Sequence, residues 1–168
     1  MTAEEFVRLL DDDFPDMELL RRKYPKRDLY AYMEDYRIRF HQDRHPCTNE
    51  LENLIYNTNI SMVGIGSMDF YYEMKVFGSG FPRFASWNDH FRFHYSDEGK
   101  ILYRSIEEDE YETAAVSLDQ FFAFLLIYNR FDRHVIFGSI FPEEDKGRLD
   151  ELVRNGFSRW WIRMLLVK

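Results

Sequence analysis

Cysteine is nearly absent from this chain. Cys47 is the only one in 168 residues, so no disulfide can close within the chain, and a zinc site with two or four cysteine ligands cannot be built. A reducing compartment suits such a sequence best. Long apolar runs are missing as well: the longest, from Phe121 to Tyr128, falls far short of the ~20 residues that cross a bilayer. The opening residues Met1-Thr2-Ala3-Glu4-Glu5 carry neither the basic nor the apolar region of a secretory signal, and a cytoplasmic protein is expected. Positive charge is in deficit. Twenty-two Lys and Arg against 30 Asp and Glu leave a net charge of −8, which argues against sequence-independent attraction to nucleic acid and makes a basic partner the more natural one.

Recognisable catalytic motifs are lacking too. Gly64-x-Gly66 and Gly78-x-Gly80 continue neither into Gly-x-Gly-x-x-Gly nor into Gly-Lys-Ser/Thr, so they read as turn glycines rather than phosphate loops. There is no Gly-x-Ser-x-Gly elbow, and Cys47 has no nucleophile signature around it. Among the many carboxylates, spacing singles out no acid–base pair. No catalytic residue, cofactor or metal ligand set is therefore assigned.

What the chain has in excess is aromatic residues. Sixteen Phe and 11 Tyr, in a length that suits one domain spanning 1–168, predict an extensive packed core. The most informative stretch is a hairpin. Phe91, Phe93 and Tyr95 alternate with Arg92 and His94, and Asp97-Glu98-Gly99-Lys100 makes a turn before Ile101-Leu102-Tyr103. Alternation assigns the aromatics to a buried face and His90, Arg92 and His94 to a solvent-facing polar row that an open sheet offers for contact.

Around this hairpin the pattern is helical at both ends. Thr2-x-x-Glu5 is a capping box that opens a helix to about Leu10; Met17, Leu20 and Tyr24 mark a second helix, stopped by Pro25. Leu29, Met33, Tyr36 and Phe40 predict a third from Asp28, and Thr48 to Asn57 a fourth. From Ile60 to Tyr103 the chain reads mostly as strand. A helix from Ser117 to Asn129 follows, with a Ser-x-x-Gln box, then a stretch of undecided type from His134 to Phe141, then a helix from Glu143 to Arg154 closed by Asn155-Gly156. Trp160 to Val167 fits strand or helix equally. The sum is an α+β domain, a mostly antiparallel twisted sheet flanked by N- and C-terminal helices.

The order hairpin, acidic connection and Ser-capped helix resembles the SUKH superfamily, the SMI1/KNR4-like proteins, many of them bacterial immunity proteins. The matching residues are Phe84-Ala85, Gly99-Lys100-Ile101 and Ser117-Leu118-Asp119-Gln120-Phe121, within roughly residues 60–128. The Leu-Pro-x-x-Tyr entry segment of that family has no clear counterpart; Lys23-Tyr24-Pro25 and Phe81-Pro82 come nearest. The resemblance implies a SUKH-like fold and a cytoplasmic protein that neutralises a toxin domain by direct binding, often a nuclease with a basic surface. It does not by itself prove immunity, since other members are regulatory or scaffold proteins.

The acidic connection is the best candidate contact. Glu107-Glu108-Asp109-Glu110-Tyr111-Glu112 packs five carboxylates into six residues, a repulsive arrangement that a basic partner would offset; Tyr111 is the expected anchor and the carboxylates the steering charges. A solvated loop explains the same run without a partner. Arg21-Arg22-Lys23-Tyr24-Pro25-Lys26-Arg27 complements a helix C-terminus, an anion contact being the other reading. His41-x-x-x-His45, with Asp43 and Cys47 nearby, has helical metal-ligand spacing, though Pro46 ends the helix there. Three readings stay open on the residues alone: a toxin-binding immunity protein, a small metal-dependent hydrolase using His41, Asp43, His45 or His90, and a regulatory or scaffold domain.

Overall fold

A computed structural model describes residues 1–77, 80–138 and 141–166 of the chain. The expected α+β architecture is present: a five-stranded antiparallel sheet with helices before and after it. The strands β1 (Met68–Lys75), β2 (Arg83–Trp87), β3 (Phe91–Tyr95), β4 (Ile101–Ser105) and β5 (Glu112–Ala115) lie side by side in sequence order. Such a meander needs only local turns. Asn88 and Asp89 take positive φ between β2 and β3, and Gly99, at φ +77°, closes the β3–β4 turn. The register of that second hairpin is continuous, from Phe91 opposite Ser105 to Tyr95 opposite Ile101.

Before the sheet the chain is helical. Helix α1 (Ala3–Asp12) is capped by Thr2, whose hydroxyl accepts from Glu5 N–H at 3.1 Å, and the Ala3 N–H donates to the Glu50 carboxylate at 2.8 Å. Helices α2 (Met17–Lys23) and α3 (Leu29–Tyr36) are peripheral, burying only Leu20 and Leu29. The predicted third helix is thus too long at its end: Arg37 is extended and Phe40 pairs with Thr58 in an isolated bridge. The apolar spacing 29, 33, 36, 40 is satisfied for two turns, after which bridge pairing outcompetes a marginal helix. Helix α4 (Glu50–Asn57) is capped by Asn49, and a short helix, α5 (Ile60–Val63), stands where strand was expected.

After the sheet, Ser117 caps α6 (Leu118–Phe137) by accepting from Gln120 N–H, and Gln120 Oε1 accepts from Val116 N–H. This helix runs eight residues past Asn129, because no breaker intervenes before Gly138, which takes φ +66° and returns its N–H to His134. The undecided stretch from His134 is helical to Phe137, and Ser139 and Ile140 lie outside the described residues. Helix α7 (Glu143–Arg154) has the expected bounds, and the last segment is a helix, α8 (Arg159–Leu166).

One face of the sheet carries the core. Phe121 of α6 meets Phe84 at 5.6 Å and Phe93 at 5.9 Å; Phe6 of α1 stacks on Phe122 at 4.6 Å. Trp161 of α8 is buried against Trp87, Phe91, Phe93 and Tyr103, and its neighbour Trp160 packs on Phe91 and Tyr103 as well; two consecutive rings meeting the same aromatics fit a helix, because a strand would send them to opposite faces. Gly66 is obligatory here. At φ +56° its missing Cβ would stand 2.7 Å from the Tyr128 ring.

Candidate protein-binding face

The other face of the sheet carries the candidate site. Arg92 of β3 stands directly opposite Arg104 of β4, and His94 opposite Leu102, so alternation assigns Arg92, His94, Leu102 and Arg104 to one face. Two like charges facing each other across a strand pair cost stability unless something intervenes. Arg92 turns away and donates to the carbonyls of Asp89 and Phe91. Arg104 lies against the Tyr111 ring, 5.4 Å from its centre, and 3.5 Å from Asp109.

His94 does not join a solvent-facing row. Only 3 % of it is exposed, because the Phe81 backbone ahead of β2 lies against it, while Tyr111 packs edge-on against the imidazole at 4.9 Å. Alternation chooses the face of a strand correctly, but a segment distant in sequence covers that face. The Phe81 carbonyl accepts from Nδ1 at 2.9 Å, which fixes the proton there and leaves Nε2 buried with no partner among the described residues. Burial pushes the imidazole pKa below its ordinary value, the neighbouring Arg104 and Arg83 push the same way, and the Phe81 bond opposes them. This histidine is neutral near pH 7. His90, by contrast, is exposed in the β2–β3 turn, where its carbonyl accepts from Ile106 N–H and pins the start of the acidic loop.

The loop itself, residues 106–111, leaves β4 and returns as β5. Its far end is held by Tyr111, which is half-buried between His94, Phe81 and Arg104. Gly80 leaves room for the phenol: a Cβ there would lie 2.5 Å from the Tyr111 hydroxyl. Tyr111 is thus an anchor, but one set into its own chain. Of the five carboxylates, Glu112 accepts the Tyr103 hydroxyl and Asp109 meets Arg104. Glu107, Glu108 and Glu110 are exposed and form no ion pair or side-chain hydrogen bond among the described residues.

The structure therefore gathers His94, Asp109 and Tyr111 around Arg104, with Arg92 opposite it in register but turned away, and His90 at the loop's start. Sequence reasoning misses Arg104, Phe81 and Gly80. Arg104 is within its reach, since a turn centred on Glu98 places 92 opposite 104; the covering by Phe81 is not.

The histidine pair elsewhere lacks the helical geometry that its spacing predicts. His41 and His45 follow Phe40 in an irregular segment rather than on a helix, tied to α4 by their backbone N–H groups, and among the described residues no three His, Cys, Asp or Glu side chains converge as metal ligands would. The basic residues Arg21, Arg22 and Lys23 fill the last turn of α2, where they complement its dipole. A cleft of about 480 Å³ between α1, α6 and α7 is floored by Leu9, Leu126 and Leu152, and its rim arginines Arg130 and Arg148 are already bound to carboxylates. No helix among the described residues is long and apolar enough to cross a membrane. Comparison with protein families, with curated proteins and with solved structures finds no match to the chain.

Proposed function

We propose that the chain is a protein-binding module of the immunity type, which neutralises a toxin domain by covering a basic surface with the 107–110 loop. One observation carries the reading: Glu107, Glu108 and Glu110 are exposed and unpaired, among the described residues, on a loop fixed at both ends, by His90 to Ile106 and by Tyr111 over His94. Fixed carboxylates steer a basic partner and cost little ordering entropy when it docks. Spaced along one loop, they mimic the charge of a phosphate backbone, which suits the nucleic-acid surface of a basic nuclease. Tyr111 positions the loop from behind.

The immunity role and the toxin partner come from the SUKH resemblance of Phe84-Ala85, Gly99-Lys100-Ile101 and Ser117 to Phe121, and the antiparallel sheet with flanking helices is compatible with it. A cytoplasmic location belongs to the same proposal. A scaffold domain would use the same loop and differ only in what binds it.

The test is capture from lysate of the source cell on the tagged chain, elution along a salt gradient, identification by mass spectrometry and an activity assay of the captured protein. A basic toxin domain inhibited at one-to-one stoichiometry is the expected result. A captured partner whose activity is unaffected overturns the immunity role.

A further inference from the structure

The face that carries His94 continues toward β1 into a patch that the 107–110 loop does not include. Val76 and Phe77, which follow β1, are 57 % and 52 % exposed. The guanidinium carbon of Arg83 stands 4.2 Å from the centre of the Phe77 ring and 4.8 Å from that of Tyr71. Arg83 is the cross-strand partner of His94, so it shares the face on which Tyr111 lies, and the two rings flank it there. Short contacts join the patch to Tyr111. The one position that a Cβ on Gly80 would take is 2.5 Å from the Tyr111 hydroxyl and 3.4 Å from the Phe77 carbonyl oxygen, and Phe81 packs edge-on against Tyr111 at 5.4 Å. Adjacent exposed side chains backed by half-buried rings make a contiguous apolar surface, which a lone exposed residue does not.

Charge along this row is unequal. At the loop end Glu107, Glu108 and Glu110 have no cation among the described residues, whereas at the other end the Arg83 cation sits against the Phe77 and Tyr71 rings, and Lys75 is already paired with Glu73. A partner that sets lysines or arginines against the loop is attracted there. The same charges set against the rings would meet Arg83, so an apolar side chain suits that place better and the direction of docking is fixed.

We propose that Val76 and Phe77 are the apolar half of the partner-binding surface, receiving an aromatic side chain of a basic protein whose lysines or arginines face Glu107, Glu108 and Glu110, which rests on the reading of the 107–110 loop as the contact. The patch supplies what Tyr111 does not. Tyr111 is set into its own chain, so the ring that a partner can cover is Phe77. Carboxylates at the rim steer and orient the encounter, and an apolar contact closed beside them lengthens the life of the complex.

The probe is the peptide acetyl-Lys-Lys-Lys-Gly-Trp-amide, titrated by NMR into the intact chain beside the same peptide with Ala for Trp and the same peptide with Glu for every Lys. The tryptophan peptide is expected to bind wild type about fivefold more tightly than the alanine peptide and to move the Phe77 ring signals together with the Glu107, Glu108 and Glu110 amides. Val76→Ser with Phe77→Ser should erase that preference and still bind the alanine peptide as wild type does, which also shows that the variant is folded. Tyr30→Ser, which removes a ring 73 % exposed on α3, should keep the preference. Equal wild-type affinity for the two lysine peptides overturns the proposal, as do shifts that spare Phe77, a preference that survives the loss of Val76 and Phe77, or tighter binding of the glutamate peptide. Glu107→Lys with Glu108→Lys and Glu110→Lys tests the reading beneath it. Weaker binding of both lysine peptides supports the loop as the contact; unchanged binding removes the loop, while a tryptophan preference that persists leaves the patch in place. Failure of both lysine peptides to bind wild type overturns both.

Discussion

Two acidic runs in this chain look alike in sequence and behave oppositely in the structure. Asp11-Asp12-Asp13 sits at the end of α1, where the helix dipole already disfavours negative charge, and each aspartate has a guanidinium of its own: Arg37 at 2.9 Å, Arg8 at 2.7 Å and Arg130 at 2.7 Å. In the run from Glu107 to Glu110 only Asp109 has one among the described residues, Arg104 at 3.5 Å. Charge density therefore does not mark a contact surface. What separates the two runs is where the counter-charge comes from: the first is neutralised within the fold, and the second stands open to an external cation.

The sharpest way to break the comparison is to remove an internal counter-charge. Arg130 donates twice to Asp145, at 2.6 and 2.7 Å, and once to Asp13, and Asp145 is only 2 % exposed. Burial works against the guanidinium's charge, but the bonds to Asp145 and Asp13 outweigh it and hold the pKa above its ordinary value. Arg130→Met strands a buried carboxylate and should cost about 3 kcal/mol in urea denaturation; Arg130→Met with Asp145→Leu should recover most of that. An unchanged midpoint for the single variant would show that this acidic cluster does not need its cation.

Tyr111→Ala comes next. Losing a half-buried ring over His94 and Phe81 should cost about 1.5 kcal/mol, and exchange of the Ile106 amide should quicken as the loop loosens. A loop whose exchange is unmoved is not anchored by Tyr111.

The pH response of His94 is smaller and has a definite sign. Its folded pKa lies below the ordinary 6.5, so the unfolded chain takes up protons first as pH falls. The stabilising contribution is complete above about pH 6.5 and is lost as pH drops through the lower, folded value. Denaturation midpoints of wild type should fall between pH 7 and pH 5 more steeply than those of His94→Gln; parallel curves would mean that the ring protonates without penalty.

The open run should show the least effect on stability. Glu107→Lys with Glu108→Lys and Glu110→Lys changes three exposed side chains that have no ion pair among the described residues and should shift stability by under about 0.5 kcal/mol. A larger loss would mean that these carboxylates have partners within the fold.

Much of this architecture is legible in the sequence. The caps at Thr2 and Ser117, the bounds of α7 and the register of the β3–β4 hairpin follow from local chemistry, and so does the exposure of Glu107 to Glu110. What is not legible depends on contacts between distant segments. Phe40 leaves its helix for Thr58, α8 takes its conformation from the aromatic pocket that Trp161 fills, and His94 is buried by Phe81.

The most direct test of the central claim is to titrate the captured partner against wild type and the triple lysine variant at low and at moderate salt. The account predicts at least tenfold weaker binding by the variant, and a wild-type affinity that falls with salt while the variant's falls less. Equal affinities with equal salt dependence would contradict it, and would place the interface on another surface of the molecule.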